Sequence, residues 1–229
     1  MKKRTTMLAL LLATGAGTCL QAQEKLTQFK VRDAITVRTP IMNDSINPKG
    51  EKYADKDLLK TPVVLDLADA PFQVLSTDTA GVLSFPKAEK DHSIYLLETS
   101  LRAERFMTGK LKVTSPARWE IFINGESKMS KENAEDSISG ASTREVNLRL
   151  EPEADYEITI KLLSGSKDKA VPTLKCELIK DDKFKDITCF VSPEQKKRFA
   201  LPNTVYGNRV IGVSISPDGK YLLTRYWNN

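Results

Sequence analysis

The sequence predicts an all-β protein, and three observations carry that prediction. From His92 to about Lys180 the apolar residues recur with period two. The runs are broken by Pro, Gly, Asn and Asp at strand-length intervals, which is the punctuation of antiparallel sheets. Near the end, Arg209 to Tyr226 reads as one β-hairpin about Ser216-Pro217-Asp218-Gly219, where proline presets φ and Asp-Gly tolerates left-handed geometry. Strands at this spacing between His92 and Val191 predict two antiparallel sheets packed face to face, a β-sandwich.

Residues 1–22 read as a secretory signal peptide: Lys2-Lys3-Arg4, an apolar run from Met7 to Ala13, and a small-residue exit at Leu20-Gln21-Ala22 before Gln23. Cleavage is expected between Ala22 and Gln23. The apolar run is shorter than the roughly 20 residues a membrane-spanning helix needs, and no later segment reads as a transmembrane span. Cys19 offers a rival ending as an acylated lipoprotein cysteine, but Ala16 and Thr18 fit that signal poorly, so the expected location is periplasmic or extracellular without lipid.

Residues 23–91 read as an irregular leader with short extended pieces, among them Ala34 to Val37 and Val63 to Leu67, broken by Pro40, Pro48, Pro62 and Pro71. Asp57-Leu58-Leu59 is expected to form one helical turn, and Phe72 and Phe85 to plug into the core that follows. Residues 92–191 hold the sandwich: Ser93 to Leu97, Gly109 to Val113, Arg118 to Ile123, the Asn124-Gly125 hairpin signal, then Val146, Leu148, Leu150 and Tyr156, Ile158, Ile160, Leu162. Lys128 to Ser142 is polar enough to be expected as a loop, with a helical turn near Lys131 to Asp136. Residues 192–208 read as a connector, and 209–229 as the hairpin unit.

Loss of Lys2, Lys3 and Arg4 with the leader takes 35 basic residues to 32 against 30 acidic, so the formal balance falls to +2. Nucleic acid is not an expected partner, because no cluster of Lys and Arg interleaved with aromatics remains to meet phosphate. Of the three cysteines, Cys176 and Cys189 outlast cleavage. Leu174 to Ile179 and Asp186 to Val191 look like strands paired around Asp181-Asp182-Lys183, which would set the two cysteines opposite each other as a disulfide in an oxidising compartment. Two small buried hydrophobes is the alternative reading.

His92 is the chain's one histidine, which argues against a self-contained Ser-His or Cys-His mechanism, and it reads as an exposed or edge residue. Gly212-Val-Ser-Ile-Ser216 lacks the final glycine of a nucleophile elbow. One histidine and two separated cysteines do not make a closed zinc site. Glu132, Glu135 and Asp136 read as a solvated loop, since they lack calcium-ligand spacing. No catalytic, metal-binding or cofactor-binding residue is therefore expected, and no cofactor. Trp119, Ile121 and Ile123 share the core face of their strand. Phe122, on the opposite face and beside Tyr156 or Tyr95, is the candidate for stacking on a sugar or a neighbouring domain.

Thr108 to Ser115 followed by Trp119 to Gly125 resembles the paired strands of a galactose-binding-like jelly roll, and Val213 to Leu223 resembles the first propeller strands of the prolyl oligopeptidase family. The order of segments is similar to secreted dipeptidyl-peptidase-like serine peptidases of Bacteroidota. In that family an α/β-hydrolase domain supplies the Ser, Asp and His, and no position here matches those motifs. The resemblance implies the non-catalytic amino-terminal part of an exported peptidase, ending in an incomplete β-propeller hairpin. Its partners would be the missing propeller and hydrolase domains, and its role would be to shape peptide access or oligomer contacts. The alternative is a stand-alone secreted β-sandwich that binds a carbohydrate or surface polymer, with affinity falling on Phe122→Ala.

Overall fold

A computed structural model describes residues 23–38, 41, 44–47, 49–60, 72–152, 154–193 and 209–227. The chain divides into two compact units, Met1–Glu194 and Gln195–Asn229. The leader, including Cys19 and Ala22, lies outside the described residues, as do Val63 to Leu67 and the connector's 194–208.

The first unit is a β-sandwich. Its strands are β1 (Gln23–Lys25), β2 (Gln28–Arg32), β3 (Ile35–Val37), β4 (Phe72–Ser76), β5 (Val82–Ser84), β6 (His92–Ala103), β7 (Met107–Thr114), β8 (Arg118–Ile123), β9 (Glu126–Lys131), β10 (Thr143–Leu150), β11 (Asp155–Ser164), β12 (Thr173–Lys180) and β13 (Cys189–Ser192). One sheet runs β1-β12-β7-β10, with β5 also on β12; the other runs β4-β2-β6-β11-β8-β9, with β3 and β13 also on β6. All the strand pairs are antiparallel. The stretch from 23 to 91, expected as a leader, contributes β1 to β5 to these two sheets.

Period-two alternation decides what the sheets bury. On β10, Val146, Leu148 and Leu150 point inward while Glu145, Asn147 and Arg149 face water. They meet Trp119, Ile121, Ile158, Ile160 and Leu162 of the facing sheet in one continuous core. Each fully buried side chain of this size contributes about 1.5–3 kcal/mol. Gly109 marks a close approach, since a Cβ there would lie 2.5 Å from the Ile179 carbonyl oxygen on β12. Asn124 (φ 52°) and Gly125 (φ 77°) make the tight left-handed turn that joins β8 to β9.

A six-residue helix, α1 (Asp55–Lys60), fulfils the expected helical turn. Such a segment is unstable alone. Leu58 and Leu59 hold it by packing on Ile94, Leu96 and Leu163 on the outer side of the larger sheet.

Several expectations are corrected. Glu126–Lys131 is a strand rather than part of a loop, and Lys131 to Asp136 forms no helical turn. Phe85 is buried, but Phe72 is 46% exposed on edge strand β4, with the Lys30 ammonium over its ring. Cys176 and Cys189 are free thiols. Their segments do not form a hairpin: β12 belongs to one sheet, with Cys176 opposite Val113, and β13 to the other, with Cys189 opposite Ala103. Facing sheets lie about 10 Å apart, more than the roughly 7 Å between Cα atoms that a disulfide spans. Both thiols take the alternative role as buried small hydrophobes, and burial pushes both pKa values up.

The second unit is a hairpin of β14 (Arg209–Ile215) and β15 (Leu222–Trp227), a two-stranded sheet of its own. Its turn forms as the sequence dictates. Gly219 N–H donates to the Ser216 carbonyl at 2.9 Å, and the Tyr221 N–H to Ser216 Oγ at 3.0 Å. Ile211, Val213, Ile215, Leu222 and Leu223 are exposed.

Candidate functional site

Phe122 is half-buried on the outer face of the larger sheet, opposite Thr159 on β11 and Ser127 on β9. The aromatics expected beside it are elsewhere. Tyr95 is in the core, its ring 4.7 Å from that of Phe85 and its hydroxyl donating to the Pro86 carbonyl at 2.8 Å. Tyr156 also packs against the inner core. Strand parity separates them: Tyr156 shares its face with Ile158, whereas Phe122 lies opposite Thr159.

His92 is neither exposed nor at an edge. Its side chain is 12% exposed, and Nε2 lies 2.9 Å from Asp55 Oδ1. Arg118 at the start of β8 reaches Asp55 Oδ2 at 2.6 Å and both oxygens of Asp168 at 2.8 Å. Asp168 also accepts the Gly165 N–H at 2.7 Å. The His92 hydrogen bond, opposed by burial and aided by the Arg118 charge, holds Asp55 below its ordinary carboxylate value. At the other end of α1, buried Lys161 donates to the carbonyls of Leu58 at 2.7 Å and Leu59 at 2.6 Å. Burial pushes the Lys161 pKa down to about 8.

This cluster does structural work: it fastens both ends of α1. Sequence reasoning missed it because its members come from four separate stretches of chain. The Glu132, Glu135 and Asp136 carboxylates do not converge either. They pair separately with Lys60, Lys131 and Lys169. Among the described residues, no three His, Cys, Asp or Glu side chains gather as a metal site.

The opposite end of β8 is different. Five residue steps of about 3.3 Å put Ile123 roughly 17 Å from Arg118. Here the sandwich opens between β10, the edge of one sheet, and the β8–β9 hairpin of the other. A cleft of about 310 Å³ lies between Asn124, Glu126, Lys128 and Tyr156 on one side and Asn147 and Arg149 on the other, with Ile123 and Leu148 as apolar lining. A second depression of about 420 Å³, lined by Thr108, Gly109, Lys110 and Asp181, shares Asn147, Leu148 and Arg149 with the first.

The lining is partly fixed in advance. Tyr156 Oη accepts the Glu151 N–H at 2.9 Å, and Glu151 Oε1 takes Arg149 Nε at 2.9 Å. The Arg149 guanidinium stands 5.2 Å from the centre of the Phe106 ring, which is braced edge-on by Phe184 at 5.8 Å. Asn124 is locked to the Glu157 backbone through both its N–H and its Oδ1, each at 2.8 Å. Among the described residues, the Asn147 amide and the terminal nitrogens of Arg149 make no hydrogen bond. The alternation Val146-Asn147-Leu148-Arg149 foretold which of these face outward, but nothing in the sequence placed them against Tyr156.

No protein-family model matches the chain, and no curated protein matches it. Solved structures similar to it include β-glucosidase from Kluyveromyces marxianus in complex with glucose, at 12% identity and TM-score 0.39, over 69% of this chain and 16% of that one. The chain thus spans about a sixth of that enzyme's length. A PA14 sugar-binding domain from an RTX adhesin matches at 10% identity and TM-score 0.37, over 73% of this chain and 96% of that one. The epithelial adhesin 9 A domain from Candida glabrata in complex with Galβ1-4GlcNAc matches at 6% identity and TM-score 0.34, over 77% and 85%.

The peptidase expectation is corrected by these findings. The similar structures just named are a glycosidase and sugar-binding domains, and no family model supports the prolyl oligopeptidase resemblance. The Val213 to Leu223 segment on which it rested is a hairpin that pairs with itself, a turn chemistry common to many β folds. The propeller and hydrolase partners go with it. The all-β sandwich itself stands.

Proposed function

We propose that this chain is an exported carbohydrate-binding β-sandwich, with its site in the cleft between β10 and the Asn124-Gly125 hairpin. One observation carries the reading: beside the half-buried Tyr156 ring, the cleft presents polar donors, the Asn147 amide and the terminal nitrogens of Arg149, that make no hydrogen bond among the described residues. A sugar ring has the matching character, with hydroxyls at its rim and C–H groups on its faces. Amides and guanidinium groups suit the hydroxyls, and aromatic and aliphatic surfaces suit the faces. The cleft volume falls at the lower end of the ~300–1,000 Å³ typical of small-ligand sites. Export rests on the leader of residues 1–22, with cleavage between Ala22 and Gln23, the residue that opens β1. Among the described residues, no helix is long and apolar enough to cross a membrane.

Affinity electrophoresis through gels carrying neutral polysaccharides tests this. Retardation is expected by at least one polymer, abolished by Asn147→Ala and unchanged by Phe122→Ala. The reverse pattern would move the site to the outer face around Phe122. Free migration through every polymer would contradict the carbohydrate reading.

A further inference from the structure

The two depressions beside β10 are not independent. They share Asn147, Leu148 and Arg149, one on each side of the same stretch of edge strand. A ligand resting on Asn147 and Arg149 therefore has room to continue in both directions, toward Thr108 and Lys110 or toward Glu126 and Tyr156. A cavity built for one terminal sugar would close around it; this one is open along its length.

Charge narrows the ligand further. Each cation near the cleft already has an acid partner: Lys110 with Glu145 at 2.8 Å, Lys128 with Glu126 at 2.6 Å, and Arg149 with Glu151 at 2.9 Å. Asp181 adds a carboxylate whose partner is the neutral Thr108 hydroxyl. The surface offers an anionic polymer no surplus positive charge, and like charges facing each other are unfavourable. It does offer hydrogen-bonding groups in both signs, which suit hydroxyls.

Resting on the carbohydrate reading above, we propose that the ligand is a neutral glycan chain running across β10, with sugar units seated in both depressions. The donors on Asn147 and Arg149 hold the central unit. Lys110 on one side and Glu126 on the other meet the flanking units.

A glycan array displaying mono- to hexasaccharides of several neutral linkages, beside uronic-acid and sulfated counterparts, tests this with the full chain. The inference expects signal on neutral chains only, absent from monosaccharides and rising with length. Lys110→Ala and Glu126→Gln should each lower affinity for the long chains by about three- to tenfold, the range one lost hydrogen bond produces. Both positions are exposed, and an unchanged circular dichroism spectrum would show that the variants fold. Equal binding of a monosaccharide, or preference for acidic chains, would overturn this inference while leaving the carbohydrate reading in place. No retained glycan of any class would overturn that reading itself.

Discussion

The two ends of β8 use similar residues to opposite effect. At the Arg118 end, the guanidinium is shared between Asp55 and Asp168, and His92 completes the arrangement. At the Ile123 end, Arg149 is held by Glu151 through Nε and by the Phe106 ring, its terminal nitrogens making no hydrogen bond among the described residues, and it lines the cleft beside an Asn147 amide that likewise has no partner among them. The difference lies in who satisfies the polar groups. At the Arg118 end the protein supplies partners to both carboxylates and the guanidinium, with His92 Nδ1 buried and without a hydrogen bond among the described residues, and the cluster costs stability when broken. At the Ile123 end it leaves donors open at a concave surface, where a ligand can supply partners.

Mutations should separate the two ends. Arg118→Ala is expected to have the largest effect, because it strands two carboxylates around a half-buried cavity. Breaking a buried pair costs about 3–5 kcal/mol, and partial exposure here lowers that to roughly 2–3 kcal/mol. The loss should show as a lower urea midpoint, with glycan binding retained by the folded fraction. Lys161→Met leaves the Leu58 and Leu59 carbonyls without their donor and should cost about 1–3 kcal/mol. Native-state hydrogen exchange should report that loss as faster exchange in 55–60 than in β10.

The pH dependence sharpens the contrast. Asp55 has a folded pKa below its ordinary 3.8, so its contribution is present in full above that value and is lost as pH falls through the folded one. Asp55→Asn should remove that part of the acid sensitivity. Lys161 gives the same sign in an alkaline window, but there burial opposes the charged form instead of a partner favouring it. Its folded value of about 8 lies below 10.5, so the unfolded chain holds the proton longer and stability rises between those two pH values. Lys161→Met should flatten that rise in thermal melts. Asn147→Ala should have the smallest effect on stability, within about 0.5 kcal/mol for an exposed side chain, while removing the glycan signal.

Much of the sandwich was legible because burial enforces period two. Arg118 to Ile123 was read at its observed limits, and Asn124-Gly125 forms the turn its sequence demands. Glu126–Lys131 was missed because this edge strand buries a lysine, Lys131, and turns only Met129 toward the core, so it carries no apolar alternation. The Cys176 and Cys189 pairing failed for a different reason. A turn at Asp182–Phe184 carries the chain from one sheet to the other, and sequence proximity does not reveal a change of sheet. Tyr156 and Asn147 meet in the cleft from different sheets, so their meeting depends on long-range packing that no local pattern encodes.

Hydrogen–deuterium exchange of the full chain, with and without a neutral oligosaccharide retained on the array, tests the central claim most directly. Binding at the cleft predicts slowed exchange in 124–128 and 147–151, with no change at 54–60. Protection confined to α1 and the Arg118 end, or to the 209–227 hairpin, would contradict the account.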